Sequence, residues 1–541
     1  MSRYTNLSEE RNRSTRLRWI PPAALASFAA VIVLWAPATG TAGRISNGDT
    51  PHAWFEGLRD ANDPSIIIDE RWDATAGTDT GWVWKPGTNP TNEIPPIAAA
   101  SGSWLKSYVS YHGFEAPGMV ILDDALAEYR TGQLYIGGWD ADHLGDPPPT
   151  PPGLLLPVDV GATGTLRISD GKLQVGKYAS EAGSGDPEFT KAYLRVGYFG
   201  ARGLFEQTGG EVHTTKKVSI AMGSADSIGV VDLKGGELRT PGVDVGVQGL
   251  GILHVSGGHL EEGYDDPEDP NNPAFDPVED IEVVGSSIGR GYSYTKQQGS
   301  SHYPNDFVED GSGRIPGIGI ADFSGGTSIF HEVVTVGTLA GSFGVMHVRN
   351  DATVTLNKGI RVGDQGMGSL IVDGGTFSTK SMTMGSSSAP HHTGQSAVTI
   401  RNGSFTVDQN LGIGNVDGTG VFTVIGHGAD IDVGGNLTVS SRSQLRFEIT
   451  TVSDVNGNDG IAPIVVAGNA HFSNFPKIHV LLEDIEDRAS DPVPSSGTVY
   501  TLVSAGSFSG PQPTLVADAI WTTCYDATNA TISAVYDGTC P

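Results

Sequence analysis

The stretch VGDQGMGSLIVDGG, Val362 to Gly375, holds five glycines in fourteen residues, and close variants of it recur along the chain. VGVQGLGILHVSGGHL begins at Val245, VGTLAGSFGVMHVRNDATV at Val336, IGNVDGTGVFTVIGHG at Ile413 and VGYFGARGLFEQTGGEV at Val196. The shared form is V-G-x-x-G-x-G-x-L-x-V-x-G-G-x-L. Counted on the paired glycines or their substitutes, Gly209 to Gly235 is 26 residues and Gly235 to Gly257 is 22. Asn350 follows Gly325 by 25, and Gly374, Asn402 and Gly426 follow at 24, 28 and 24. A period near 24 with short insertions marks a solenoid; it is too short for a propeller blade and lacks the offsets of a leucine-rich repeat.

Within each repeat the periodicity is two. Apolar pairs stand at Leu166/Ile168, Val231/Leu233, Leu253/Val255, Met346/Val348, Leu370/Val372, Val398/Ile400 and Phe422/Val424. Polar or variable residues lie between them, as at Arg167, Asp232, His254 and His347. This is the pattern of a strand with one buried face. The copy at Gly203 departs, with Phe205 followed by Gln207. A second short strand follows the paired glycine, at Leu173, Val212, Leu238, Leu260, Phe377 and Phe405, and a third ends in Val-Gly or Ile-Gly. Three strands and three corners in about 24 residues predict an all-β chain, one coil of a parallel β-helix (β-solenoid) per repeat. Tight corners need left-handed backbone, which Gly, Asn and Asp supply. Stacked coils about 4.8 Å apart would bury ladders of like residues that no single coil could bury alone. Roughly ten to twelve coils are expected between about Leu154 and Val439.

The repeat resembles that of bacterial proteins of the type V secretion and PEP-CTERM-associated class, and of autotransporter passengers. The resemblance covers about half the chain. It implies a β-helical extracellular or cell-surface protein and carries no catalytic residues with it. Two departures stand out: neither a C-terminal PEP motif with an apolar helix and basic end nor the alternating strands of a translocating barrel follow the repeats.

The N-terminus fits export. Arg11, Arg13, Arg16 and Arg18 precede an apolar run from Trp19 to Trp35, and small residues follow, so cleavage after Ala38 or Ala42 is expected. An uncleaved anchor is the alternative, but the run is short for a span of about 20 residues. The expected location is therefore secreted or cell surface, with membrane contact only through a retained signal. A formal net charge of −29 repels phosphates and anionic lipid, which argues against nucleic acid as a partner and leaves an extracellular glycan or surface component. Cys524 and Cys540 are the two cysteines, and in an exported chain they are expected to form a disulfide.

Outside the repeat, residues 44–150 hold six tryptophans: Trp54, Trp72, Trp82, Trp84, Trp104 and Trp139. The segment reads as an N-terminal cap or small module; as a carbohydrate-binding module it would stack sugars on faces such as Trp82 and Trp84. GDPPPTPPG, Gly145 to Gly153, is a stiff linker. Residues 263–318 interrupt the repeat with an acidic insert. Its Asp265, Asp266, Asp269, Glu279 and Asp280 could hold Ca²⁺, the one cofactor suggested, although a solvated acidic loop is the plainer reading. Residues 441–541 are expected to form a β-rich C-terminal cap. Asp232 and Asp322 share one outward offset, as do His254 and His347, but coils or the insert intervene, so these residues are expected to be surface decoration. The leading expectation is an exported, non-catalytic protein with an adhesive or structural role. A polysaccharide lyase or glycosidase on the same scaffold, and a sugar-binding protein using the N-terminal tryptophans, are the alternatives.

Overall fold

The computed structural model describes residues 52–59, 67–69, 71–73, 82–86, 106–111, 118–122, 128–131, 134–138, 163–176, 193–198, 200–223, 225–263, 285–290, 292–293, 314–385, 394–414, 418–450, 460–473, 475–482, 494–517 and 520–541. Among these the secondary structure is all β, and no described helix is long and apolar enough to cross a membrane. The signal-like residues 1–42, the linker and the acidic carboxylates from Asp265 to Asp280 lie outside the described residues.

Most strands pair in parallel along three ladders. The first includes Thr163–Ile168, the opening halves of Arg202–Thr214 and Ile228–Thr240, and then Leu250–Val255, Ile318–Phe323 and Phe343–Arg349. It continues through Met367–Thr379, Gln395–Val407, Thr419–Ile425, Gln444–Ile449 and Lys477–Leu482 to Thr514–Ala517. The second ladder runs from Glu128–Thr131 and Lys172–Val175, through the closing halves of the long strands, to Ile464–Phe472 and Val499–Ser509. The third starts at His52–Arg59 and Lys106–Tyr111 and runs through short strands such as Val243–Val245, Val333–Val336, Gly359–Val362, Met382–Met384 and Leu411–Ile413, each followed by a glycine. The chain visits first, second and third ladders in turn. Met367–Thr379 serves the first two, Met382–Met384 the third, and Gln395–Val407 returns to the first.

Strands at 106–111, 118–122, 128–131 and 134–138 already pair in these ladders, ahead of the visible repeat. Trp82 and Trp84 lie in the strand Trp82–Pro86, antiparallel to His52–Arg59; their side chains lie outside the described residues.

The register stacks the apolar pairs. Leu253 aligns with Ala321, Met346, Leu370, Val398, Phe422, Leu445 and Ile478, and all are buried. Val255, Phe323, Val348, Val372, Ile400, Val424, Phe447 and Val480 make the adjacent inner column. Full burial of such a side chain stabilises by about 1.5–3 kcal/mol. Gln207 occupies the inward place of Ile168 and Leu233. Its Nε2 donates to the carbonyls of Gly210 (3.1 Å) and Glu237 (2.9 Å), while its Oε1 is buried without a partner among the described residues. Threonines at the ends of second-ladder strands are satisfied in the same way, Thr240 Oγ1 donating to Gly242 O at 2.9 Å and Thr379 Oγ1 to Ser381 O at 3.1 Å.

The glycine spacing follows from two close approaches. Gly363 follows a third-ladder strand with φ of 67°, and a Cβ there would lie 2.2 Å from the carbonyl oxygen of Gln395, at the start of a neighbouring strand. Gly368, second in its strand, has extended room for no side chain either: its Cβ would meet Gly363 N at 2.3 Å and Val336 O at 2.4 Å. The corner at Gly363 thus nests against the start of the strand Met367–Thr379, and both backbones must be bare.

At the C-terminal end the pairing changes from parallel to antiparallel. Trp521–Asp526 and Thr531–Tyr536 form an antiparallel hairpin, and Thr531–Tyr536 also pairs antiparallel with Val499–Ser509. Trp521 packs against the rings of Tyr500 and Tyr536, and Cys524 is disulfide-bonded to Cys540.

Candidate functional site

The outward face of the first ladder carries a column of charged side chains. In register these are Arg167, Glu206, Asp232, His254, Asp322 and His347. His254 and Asp322 are 68 positions apart in sequence yet sit on adjacent strands, because the chain between them leaves the first ladder and returns in register. The expected decoration is therefore a connected network. His254 Nδ1 lies 3.0 Å from Asp232 Oδ1, and its Nε2 lies 3.2 Å from Ser324 Oγ and 3.6 Å from Asp322 Oδ2. Arg349 grips Asp322 through two bonds, Nε to Oδ1 and Nη2 to Oδ2, both 2.9 Å. His347 Nδ1 stands 3.4 Å from Asp322 Oδ1. Lys234 Nζ bridges Asp232 Oδ2 at 3.0 Å and Glu206, whose other oxygen takes Arg167 Nε at 2.7 Å.

These contacts set the protonation states. Burial pushes the Asp232 carboxyl up, since Asp232 is only 4% exposed, but the hydrogen bonds from His254 and Lys234 outweigh it and hold the group below the ordinary value. Burial likewise opposes ionisation of Asp322, and the His347 and Arg349 bonds with their charges leave it well below the usual carboxylate range. A carboxyl depressed on folding adds stability that is fully present above the unfolded value, about 3.9, and is lost as pH falls through the folded value. Asp322→Asn should therefore flatten the acid limb of stability below about pH 4. Denaturant midpoints measured from pH 7 down to pH 2 check this; a variant that tracks the parent throughout refutes it.

Other polar clusters hold the coil beside the acidic insert. Glu262 points inward at the end of its strand and is fully buried. It accepts from His331 N (3.0 Å), Glu332 N (3.1 Å) and Ser286 Oγ (3.1 Å); burial still pushes its carboxyl up. On the third ladder Asp244 meets Arg290 Nη1 at 2.9 Å and Lys217 Nζ at 3.5 Å, and Lys217 also donates to Gly285 O at 3.0 Å. Burial lowers the Lys217 ammonium despite that carboxylate. Further back on the same ladder the Arg195 guanidinium lies 5.3, 4.7 and 4.4 Å from the ring centres of Tyr135, Tyr193 and Tyr198, and bonds the Tyr135 hydroxyl. No sequence motif announces these clusters; only the register across coils could have found them.

No protein-family model matches the chain, no curated protein matches it, and no solved structure matches it.

Proposed function

We propose that the chain is an exported parallel β-helix serving as a non-catalytic structural or adhesive protein at or beyond the cell surface. The cyclic visits to three parallel ladders support the β-helix. The export-like N-terminus, the Cys524–Cys540 disulfide, which persists in oxidising compartments, and the resemblance to type V secretion and autotransporter-passenger repeats support the location.

The observation that carries the non-catalytic reading is the clamping of Asp232 and Asp322. They stand two strands apart on one face, a separation of about 9.6 Å along the ladder, at the upper limit of what an inverting glycosidase uses. A glycosidase general acid must have a raised pKa. Both aspartates are instead held ionised by Lys234, His254, His347 and Arg349, and Asp322 spends its oxygens on the Arg349 fork. Such a column neutralises like charges between neighbouring coils and aligns them.

Purified protein should bind extracellular polysaccharide or whole envelope material without shortening or unsaturating any glycan. The test is product release from neutral and acidic polysaccharides, with and without Ca²⁺, beside binding on a glycan array. Turnover by the parent that disappears in Asp232→Asn or Asp322→Asn would overturn the reading. Binding lost on deleting residues 44–150 would shift the adhesive role to the tryptophan-rich segment.

A further inference from the structure

A separate group of side chains lies on the outward face of the second ladder. Glu237 aligns with His259, and Arg239 with Glu261, on adjacent strands. One ligand atom each from Glu237, His259 and Glu261 falls within 4.8 Å of the other two. All three residues are partly buried.

The surroundings anchor one oxygen of each carboxylate. Arg239 donates to Glu237 Oε1 from Nε at 2.7 Å and from Nη2 at 2.6 Å. His331, on the far side of the insert, approaches Glu261 Oε1 with Nε2 at 3.3 Å. Its Nδ1 faces the Asn357 amide nitrogen at 3.0 Å, so Nδ1 accepts and the ring proton sits on Nε2, directed at Glu261. That leaves Glu261 Oε2 toward His259 Nε2, 3.7 Å away. The gap is too long for a hydrogen bond. It is close to the distance between two ligands on one tetrahedral ion with bonds of about 2.0–2.2 Å.

We propose that Glu237, His259 and Glu261 form a divalent transition-metal site, best suited to Zn²⁺. Imidazole with carboxylates matches that ion, and three protein ligands leave a position for water or an outside donor. Asn357, His331 and Arg239 are the positioning residues, orienting the ligating carboxylates as outer-shell partners do. Arg239 also competes: its Nε lies 3.5 Å from Glu261 Oε2. The ion must displace that contact, while the bond to Glu237 Oε1 remains and offsets the charge of two carboxylates. Binding ties the coil of Glu237 to that of His259, and through His331 to the coil after the insert. None of these ligands belongs to the acidic run Asp265 to Asp280.

The test is calorimetric titration of Zn²⁺ into the full chain, stripped of metal and without a histidine tag. One saturable site is expected on the parent. His259→Ala and Glu237→Gln should abolish it, and Asn357→Ala should weaken it about ten- to hundredfold. His471→Ala, on another ladder, should leave it unchanged. Circular dichroism checks folding of each variant; Glu237→Gln and Asn357→Ala are surface changes that keep the test available if His259→Ala misfolds. An unchanged isotherm in His259→Ala and Glu237→Gln, or a parent with no saturable Zn²⁺ binding, overturns the proposal.

Discussion

Gly363→Ala should lower the denaturation midpoint by the equivalent of about 3 kcal/mol or more. An L-residue at φ of 67° carries roughly 1–2 kcal/mol of strain by itself. The new methyl would also sit 2.2 Å from the Gln395 carbonyl oxygen, a backbone atom that no rotamer change can remove. Overpacking of this kind typically costs a further 1–3 kcal/mol. Gly200→Ala separates the two effects: φ there is 76°, but a Cβ would have no neighbour within 4 Å. Its cost should be the conformational strain alone. Equal midpoint shifts for the two variants would show that close approach between coils is not what demands glycine.

Phe405→Ala should cost about 3–5 kcal/mol. Phe405 is completely buried, stacks on Phe377 at 5.5 Å with an 11° interplanar angle, and meets Phe422 edge-on at 5.7 Å. Neither neighbour can collapse into the void, because each is pinned by the register of its own strand. Phe405→Leu, closer in volume, should cost less than half as much. Because each strand pairs only with its ladder neighbours, the damage is expected to be local, so amide exchange should accelerate most between Met367 and Val433. Uniform acceleration along the chain would contradict nearest-neighbour coupling.

Much of the strand pattern was legible because period two and the glycine corners are written into each repeat. Leu253, Leu370 and Phe422 fall in one inner column as their offsets required. The strands from Lys106 to Gly138 were not legible as part of the stack. They lack the V-G-x-x-G-x-G-x-L-x-V-x-G-G form of the repeat, and Tyr135 breaks the expected polar face with a buried aromatic. Inward polar residues such as Gln207 and Glu262 are invisible to a hydrophobic pattern, since what admits them is a set of backbone partners in other coils. The charged column and the Glu237–His259–Glu261 group were missed for a related reason. Sequence distance says nothing about contact when the neighbour of His254 is Asp322.

One coil shows how far that separation can go. Between Leu260 and Phe323 the ladder strands His259–Glu262, Ser287–Ile288 and Ile318–Phe323 each pair in register, while Tyr292–Ser293 and Arg314–Ile315 form a separate antiparallel pair. Asp244, Lys217 and Arg290 pin the short strand Ser287–Ile288. Closing a flexible excursion costs only about 0.6 kcal/mol more for each doubling of its length. Lengthening the chain on either side of Ser287–Ile288 by insertion should therefore change stability by only about 0.6 kcal/mol for each doubling, so long as these in-register pairs are kept.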